Sequence, residues 1–272
     1  MRLRTVLRKP GALAAAIFLG LVIVLSVIAP FTPLDPTAID LDSMSSPPSA
    51  EHLFGTDALG RDYLARVVFG GRISLLVGFL AMAAATLIGT LVGLLAGYSH
   101  KFVDVALMRL VDLLSSIPWM VLIIVVSVFL KPGIITIIVV IGAFSWMSTA
   151  RLVRAETLSV RERTFVQYAS FIDLPKPRIV VRHILPQILP TIMVAATASL
   201  ASAMMTEASL SFLGVGVQAP MASWGSLLQT AQGDLQRLPH LAVIPGLLIM
   251  ATILSVSTLG NAVREAKDKE SA

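Results

Sequence analysis

The sequence predicts an all-α protein that crosses a membrane several times, and three observations carry that prediction. Apolar residues fill 56% of the 272 positions and charged ones only 14%, against about 25% charged in soluble domains. That is too few to clothe a water-facing surface. The mean hydropathy is +0.85. The apolar residues also gather in runs of about 20, the length that spans the hydrocarbon layer as a helix.

Six runs qualify, near 11–30, 74–97, 106–130, 133–150, 188–207 and 241–260. The first follows Arg2, Arg4, Arg8 and Lys9, exceeds the apolar part of a secretory signal, and meets Pro30 directly after Ala29, a poor cleavage context. Residues 1–31 are therefore expected to be a basic tail and a retained anchor. Residues 32–72 form a polar, proline-containing segment outside the bilayer with Asp35, Asp40, Asp42, Glu51, Asp57 and Asp62. A five-helix body is expected over 73–262, and a polar tail over 263–272. In the second run, Gly89, Gly93 and Gly97 either allow close helix approach or reflect the ordinary abundance of glycine in membrane helices. Lys131, Pro132 and Gly133 split an over-long run into two helices joined by a tight turn. Residues 208–240 carry no charge before Asp234, yet Gly214, Gly216, Pro220 and Gly225 oppose one straight helix. A short or re-entrant helix near the outer surface is predicted there, since irregular backbone at that depth must be buried in protein or line a cavity.

The basic residues set the orientation. With the N-terminus in the cytoplasm, only Arg61, Arg66, Arg72, Lys131 and Arg237 of the 21 lysines and arginines fall outside, which places both termini inside. The net charge of +5 is assigned to this bias and not to nucleic acid. Without cysteine there is no disulfide, thiolate metal site or thiol nucleophile. Neither GxxxxGK[ST] nor HExxH occurs. His52, His100, His183 and His240 lie in separate loops, so no metal site is expected, and each is expected to be solvated or interfacial. A membrane-embedded enzyme is unsupported.

The inner loop 151–187 is the most informative segment. ARLVRAETLSVRERTFVQYASF predicts an amphipathic helix, with Leu152, Ala155, Leu158 and Val160 apolar and Arg151, Arg154 and Glu156 charged. Ala169, Phe171 and Ile172 present a small apolar knob, and Pro175 and Pro177 end the helix. Such a loop either anchors to anionic lipid or docks a helix into a partner's groove. A rigid knob with apolar residues suits the protein partner better. Within the spans, Arg109 and Asp112 stand three apart and are expected to pair. Glu207 is expected to brace the irregular outer segment, with a substrate contact as the alternative. Trp119, Trp146 and Trp224 fit interface anchors and pathway residues equally well.

Several blocks in series resemble one family. HLFGTDALGRDYLARVVFGGRISLLVG is similar to FGTDxLGRDxxSRxxxGxRxSL, and ALMRLVDLLSSIP to MRxxDxxxxxP, of binding-protein-dependent ABC importer permeases in the dipeptide/oligopeptide/nickel branch, specifically the second, C-type subunit. WMSTARLVRAETLSVRERTFV, RHILPQILP, TEASLSFLGVGVQAPMASWG and LGNAVRE follow in the family's order, so the resemblance covers nearly the whole chain. It implies a type I importer core of five helices preceded by one extra N-terminal helix, six transmembrane helices in all, in a bacterial cytoplasmic membrane. It also implies a sister permease, two ATPase subunits that bind ATP and magnesium, an extracytoplasmic solute-binding protein, and no cofactor on this chain. At the ATPase contact it places Phe165, Gln167, Tyr168, Ala169, Phe171, Asp173, Lys176, Arg178, Arg182 and His183. Structural motif positions are Gly55, Thr56, Asp57, Gly60, Arg61, Asp62, Arg109, Asp112, Pro118, Pro186, Glu207, Gly214, Gly216, Trp224 and Gly225.

The family's EAAxxxG coupling motif is altered to Gln167, Tyr168 and Ala169, with Asp173 at the glycine position. Aspartate tolerates left-handed backbone better than most residues, and Gln167 keeps a hydrogen-bonding side chain while losing a charge. The change implies altered coupling strength or an ATPase with a matching groove. Dipeptides or oligopeptides lead as cargo, with nickel or metal chelates, haem and sugars as alternatives. A stand-alone secondary transporter is the rival class, and it lacks visible inverted repeats or paired midplane carboxylates.

Overall fold

The computed structural model describes residues 9–130 and 133–271, apart from the side chains at 119, 127, 128 and 266–271. Arg2, Arg4, Arg8 and the Lys131–Pro132 part of the expected turn lie outside the described residues. In chain order come α1 (Pro10–Ile28), α2 (Tyr63–Tyr98), α3 (Lys101–Ser115), α4 (Trp119–Phe129) and α5 (Ile134–Arg161). The short α6 (Thr164–Phe171) and α7 (Lys176–Ile179) follow, then α8 (Leu185–Phe212), α9 (Trp224–Ala231) and α10 (His240–Ser271). Five helical stretches are long and apolar enough to cross a membrane: Pro10–Phe31, Tyr63–Tyr98, Ile134–Arg161, Lys176–Phe212 and His240–Glu265.

The sixth predicted crossing, 106–130, is not one straight helix. It divides into α3 and α4, bent by 79° at the break before Pro118. Proline has no N–H for the helical ladder. The apolar α4 has 11 residues, about 16 Å of rise, short of the ~30 Å hydrocarbon layer. Neither piece qualifies alone, and a sixth crossing requires the bent pair to act as one span.

The second helix begins at Tyr63, well before residue 74. Asp62 caps it, its Oδ1 accepting from the Ala65 amide at 2.8 Å. Its inner face is made of small residues, Ala81, Ala85, Gly89, Gly93 and Ala96, while Leu87, Leu91 and Leu95 face outward. The glycines serve close approach. A Cβ at Gly89 would lie 2.7 Å from the Trp146 carbonyl oxygen, and one at Gly97 2.6 Å from Thr157 Cβ. The α2–α5 seam therefore requires backbone-to-backbone contact, as membrane helix pairs without a hydrophobic drive do.

The chain alternates between two ends of the bundle. Lys9 pairs with Glu265, and Ala12 packs on Ala262. At the other end, Tyr63 donates its hydroxyl hydrogen bond to the Leu241 carbonyl, and Val22 joins Trp224 and Leu227 in a buried cluster.

Candidate functional site

The first end carries the segment singled out as a docking knob. The predicted amphipathic helix is instead split between about the last three turns of α5, which runs unbroken to Arg161, and the separate α6. The buried side of the α5 part is Val153, Thr157 and Val160; Leu152 and Ala155 are exposed, because the membrane helix keeps its own register into this segment. The chain breaks at Glu162–Arg163, where Gln167 Nε2 donates to the Glu162 carbonyl at 3.1 Å. Then α6 turns its small face inward: Val166 and Ala169 pack with Val160, Ile179 and Ile184. Ala169 is thus part of the support and not of the exposed knob. The exposed face is Phe165, Tyr168, Phe171 and Ile172, with Phe171 85% exposed.

Asp173 stops α6 in left-handed backbone, φ 54°, while the Leu174 amide returns to the Ala169 carbonyl at 3.2 Å. The prolines do not end this helix. Pro175 caps α7 and Pro177 lies in its first turn, where the missing N–H is not needed. A π-helical stretch, Val180–Ile184, then leads into α8, which opens with Pro186. Arg178 and Arg182 are exposed, and His183 is half-buried. Lys176 Nζ lies 3.5 Å from His100 Nε2. The coupling residues named from the sequence thus share one compact projection, with Ala169 on its inside.

Two ion pairs brace α3 against α5 just above this projection. Arg154 forks onto Asp104, with Nη2 to Oδ2 at 2.7 Å, and Arg151 Nη2 meets Asp112 Oδ1 at 3.1 Å. The expected Arg109–Asp112 pair does not form. Asp112 faces α5 across the crossing, and Arg109 has no ion-pair partner among the described residues. Spacing within one helix could not disclose that cross-helix choice; Asp104 and Arg154 were missed for the same reason.

The other end is closed by a charged clamp. Asp57 takes Arg61 Nε at 2.8 Å and also pairs with Arg66, and the Arg66 side chain is 5% exposed. Burial works against the Asp57 carboxylate. The Leu59 amide, the Arg66 guanidinium, and the amide and guanidinium of Arg61 outweigh it and hold its pKa below the ordinary carboxylate value. Thr56 is pinned by Ser43 and Ser46, and it pairs by an isolated bridge with Asp62, whose Oδ2 meets His52 Nδ1 at 2.9 Å. Gly60 has φ 75°, and a Cβ there would land on the Asp40 carbonyl; Gly55 is also left-handed. His240, expected to be solvated or interfacial, is half-buried, and the clamp loop folds over its Nε2 at Gly55.

Beside the clamp, Glu207 is fully buried and accepts from Ser74 Oγ at 2.9 Å and Ser211 Oγ at 2.8 Å. Ser74 Oγ accepts from the Trp224 amide at 3.1 Å, so Glu207 ties α2, α8 and α9 together. Gly214 and Gly216 form the turn after α8, and Gly225 packs on the Ala208 backbone. Trp224 is buried, its Nε1 donating to the Val67 carbonyl at 3.0 Å, and Trp146 is buried too, so neither is an interface anchor. The side chain at 119 lies outside the described residues.

The chain as a whole finds counterparts among known proteins. Residues 89–268 match the family of binding-protein-dependent transport system inner membrane components. The chain is similar to the oligopeptide transport system permease protein OppC of Haemophilus influenzae, 37% identical over 97% of this chain and 86% of that one. It is 40% identical to the glutathione transport system permease protein GsiD of Escherichia coli O157:H7, over 96% of this chain and 87% of its relative. Among solved structures it resembles a chain of the MetNI methionine ABC transporter in an inward-facing form, with TM-score 0.60 and 18% identity over 74% of this chain and 96% of that one. At that identity the likeness speaks for the fold, the type I importer permease fold. The chain belongs to the family of binding-protein-dependent transport system inner membrane components: it is a multi-pass permease subunit of an ABC importer.

Proposed function

We propose that this chain forms half of a translocation pathway for short peptides and takes its motion from ATPase subunits seated on the 162–184 projection. The observation that carries this reading is the exposed row Phe165, Tyr168, Phe171 and Ile172 on a helix whose opposite face is locked to the bundle. Aromatic side chains left in water at a polar end favour burial against a partner, each by about 1.5–3 kcal/mol when fully covered. The rigid attachment lets a push on α6 reach α5 and α8 instead of dissipating in a loose loop. Arg178 and Arg182 add positive charge beside the row.

In this reading ATP and its magnesium belong to the partners, and a sister permease supplies the other half of the pathway. An extracytoplasmic binding protein delivers solute to the clamp end, and the termini lie in the cytoplasm of a bacterial inner membrane. The Lys/Arg distribution supports that orientation, and the names of the peptide and glutathione relatives support the cargo class. The test is reconstitution of the complete complex in liposomes with the segment Ala169–Lys176 shortened. ATP hydrolysis should persist while peptide uptake stops; full uptake after that deletion would overturn the proposal.

A further inference from the structure

A cavity of about 460 Å³ opens on the side of the bundle between α5, α8 and the end of α3, starting at the Arg151–Asp112 pair and away from the clamp. Its wall carries seven hydroxyls: Ser115 from α3, Ser145, Ser148 and Thr149 from α5, and Ser199, Ser202 and Thr206 from α8. Steps of three and four put each set on one helix face. Ser148 and Ser202 are exposed although they lie within the membrane-crossing stretches. A hydroxyl against hydrocarbon can return to a carbonyl of its own helix, as exposed Thr258 does; Ser148 and Ser202 make no such bond among the described residues, which fits a face that is covered by protein or lines water.

Thr149 separates those possibilities. It is 2% exposed, and its methyl side is turned to Gly89 of α2. Thr157, Thr206 and Thr258 each return their hydroxyl to the carbonyl four residues back, at 2.7, 2.8 and 2.7 Å. Thr149 forms no such bond, and among the described residues its hydroxyl at the cavity wall has no partner. Its oxygen is not sealed in the packing, as those of Thr86, Thr90 and Thr252 are, but reaches the cavity, where it is free to bond water or a passing solute.

We infer that this groove is the solute-contacting wall of the pathway, and that its hydroxyls bond the amide backbone of a short peptide. The inference rests on the peptide-importer reading above. A hydroxyl both donates and accepts, so it serves an amide N–H or C=O equally. The one charged lining residue, Arg151, is held at the groove's end by Asp112 and by Ser115 at 3.0 Å, and so does not select by charge along the wall. Phe144 and Met147 give apolar side chains an adaptable surface. Recognition of the backbone with tolerance of the side chain follows.

The absence of cysteine makes the test direct. Ser148→Cys and Ser202→Cys are placed singly in the complete complex, with Val139→Cys, on the exposed opposite face of α5, as lipid-side control. A membrane-impermeant cationic thiosulfonate is applied during ATP turnover, and modification is read by mass on this chain. The 148 and 202 thiols should react at least about tenfold faster than the control, since only water-lined positions admit the reagent. Short alanine peptides given with the binding protein should slow that reaction, and modification should stop uptake while hydrolysis continues. Reaction at the control rate, with alanine-peptide uptake intact, would mean the face is sealed by small-residue packing and would overturn this inference alone. Fast reaction without peptide protection overturns the backbone contact. No ATP-driven uptake by the unsubstituted complex overturns the importer reading itself.

Discussion

At the end of the bundle built from residues 40–66 and 207–227, charged and polar side chains are buried and bonded to one another. At the end built from residues 162–184, apolar ones stand in the open. Asp57 is surrounded by its own chain's donors, and Glu207 by its own serines. Phe171 touches water on most of its surface. The clamp end completes its interactions within this polypeptide, whereas the projection leaves its aromatic row uncovered and, in the function proposed above, completes it against a partner. Damage at the clamp should therefore appear as lost stability of the isolated chain, and damage at the projection as lost association.

The largest effect is expected from Asp57→Ala, which leaves Arg66 buried without its counter-ion. Stranding one partner of a buried pair costs about 3–5 kcal/mol, and Arg66 Nε already lacks a partner. The purified chain in detergent should melt at a clearly lower temperature. Melting unchanged from the parent would erase the distinction between the two ends.

A smaller loss at the same group is expected in acid. The Asp57 pKa is depressed in the folded chain below the ordinary aspartate value of 3.8. Its contribution is therefore complete above that value and declines as pH falls through the lower folded-state pKa. Melting followed from pH 5 downward should show a drop that Asp57→Ala lacks. Parallel acid profiles would assign the loss to other carboxylates.

Phe171→Ala should do the reverse. Stability is expected to stay within about 0.5 kcal/mol, as for exposed positions generally. Affinity for the ATPase subunits should fall about tenfold, the scale of an interface anchor worth ~1.4 kcal/mol. Co-purification and melting, measured on one preparation, separate the two. A destabilised chain with normal association would invert the comparison.

The sequence disclosed what depends on local composition and missed what depends on approach between distant segments. Five crossings and the short helix after Gly214 were legible because hydropathy and chain breaks are local signals. The start of α2 at Tyr63 was misjudged because Arg66 and Arg72 lower a hydropathy window, although Arg66 is neutralised by Asp57 in the fold. Arg109 next to Asp112 looked sufficient until Arg151 arrived from α5. Ala169 sits inward because α5 and α7 supply the wall it packs on. The hydroxyl groove was invisible because serines 54 residues apart, such as Ser148 and Ser202, share no sequence pattern; only the α5–α8 seam brings them together.

Asp173→Gly gives the smallest effect and the finest cut at the projection. Left-handed backbone costs an L-residue roughly 1–2 kcal/mol, and aspartate less because its short polar side chain bonds locally. Glycine removes that strain, but it frees the unfolded chain by about 0.5–1 kcal/mol. The net change should be a gain below about 1 kcal/mol, with the turn from Leu174 to Ala169 preserved. If Asp173 serves only as a backbone stop, ATPase affinity and the ratio of peptide moved to ATP hydrolysed should stay at parental values. A change in that ratio without a change in melting would show that the exposed carboxylate itself touches the partner. The docking surface would then extend from the aromatic row of α6 across the turn into α7, and the projection would be read by charge as well as by apolar contact.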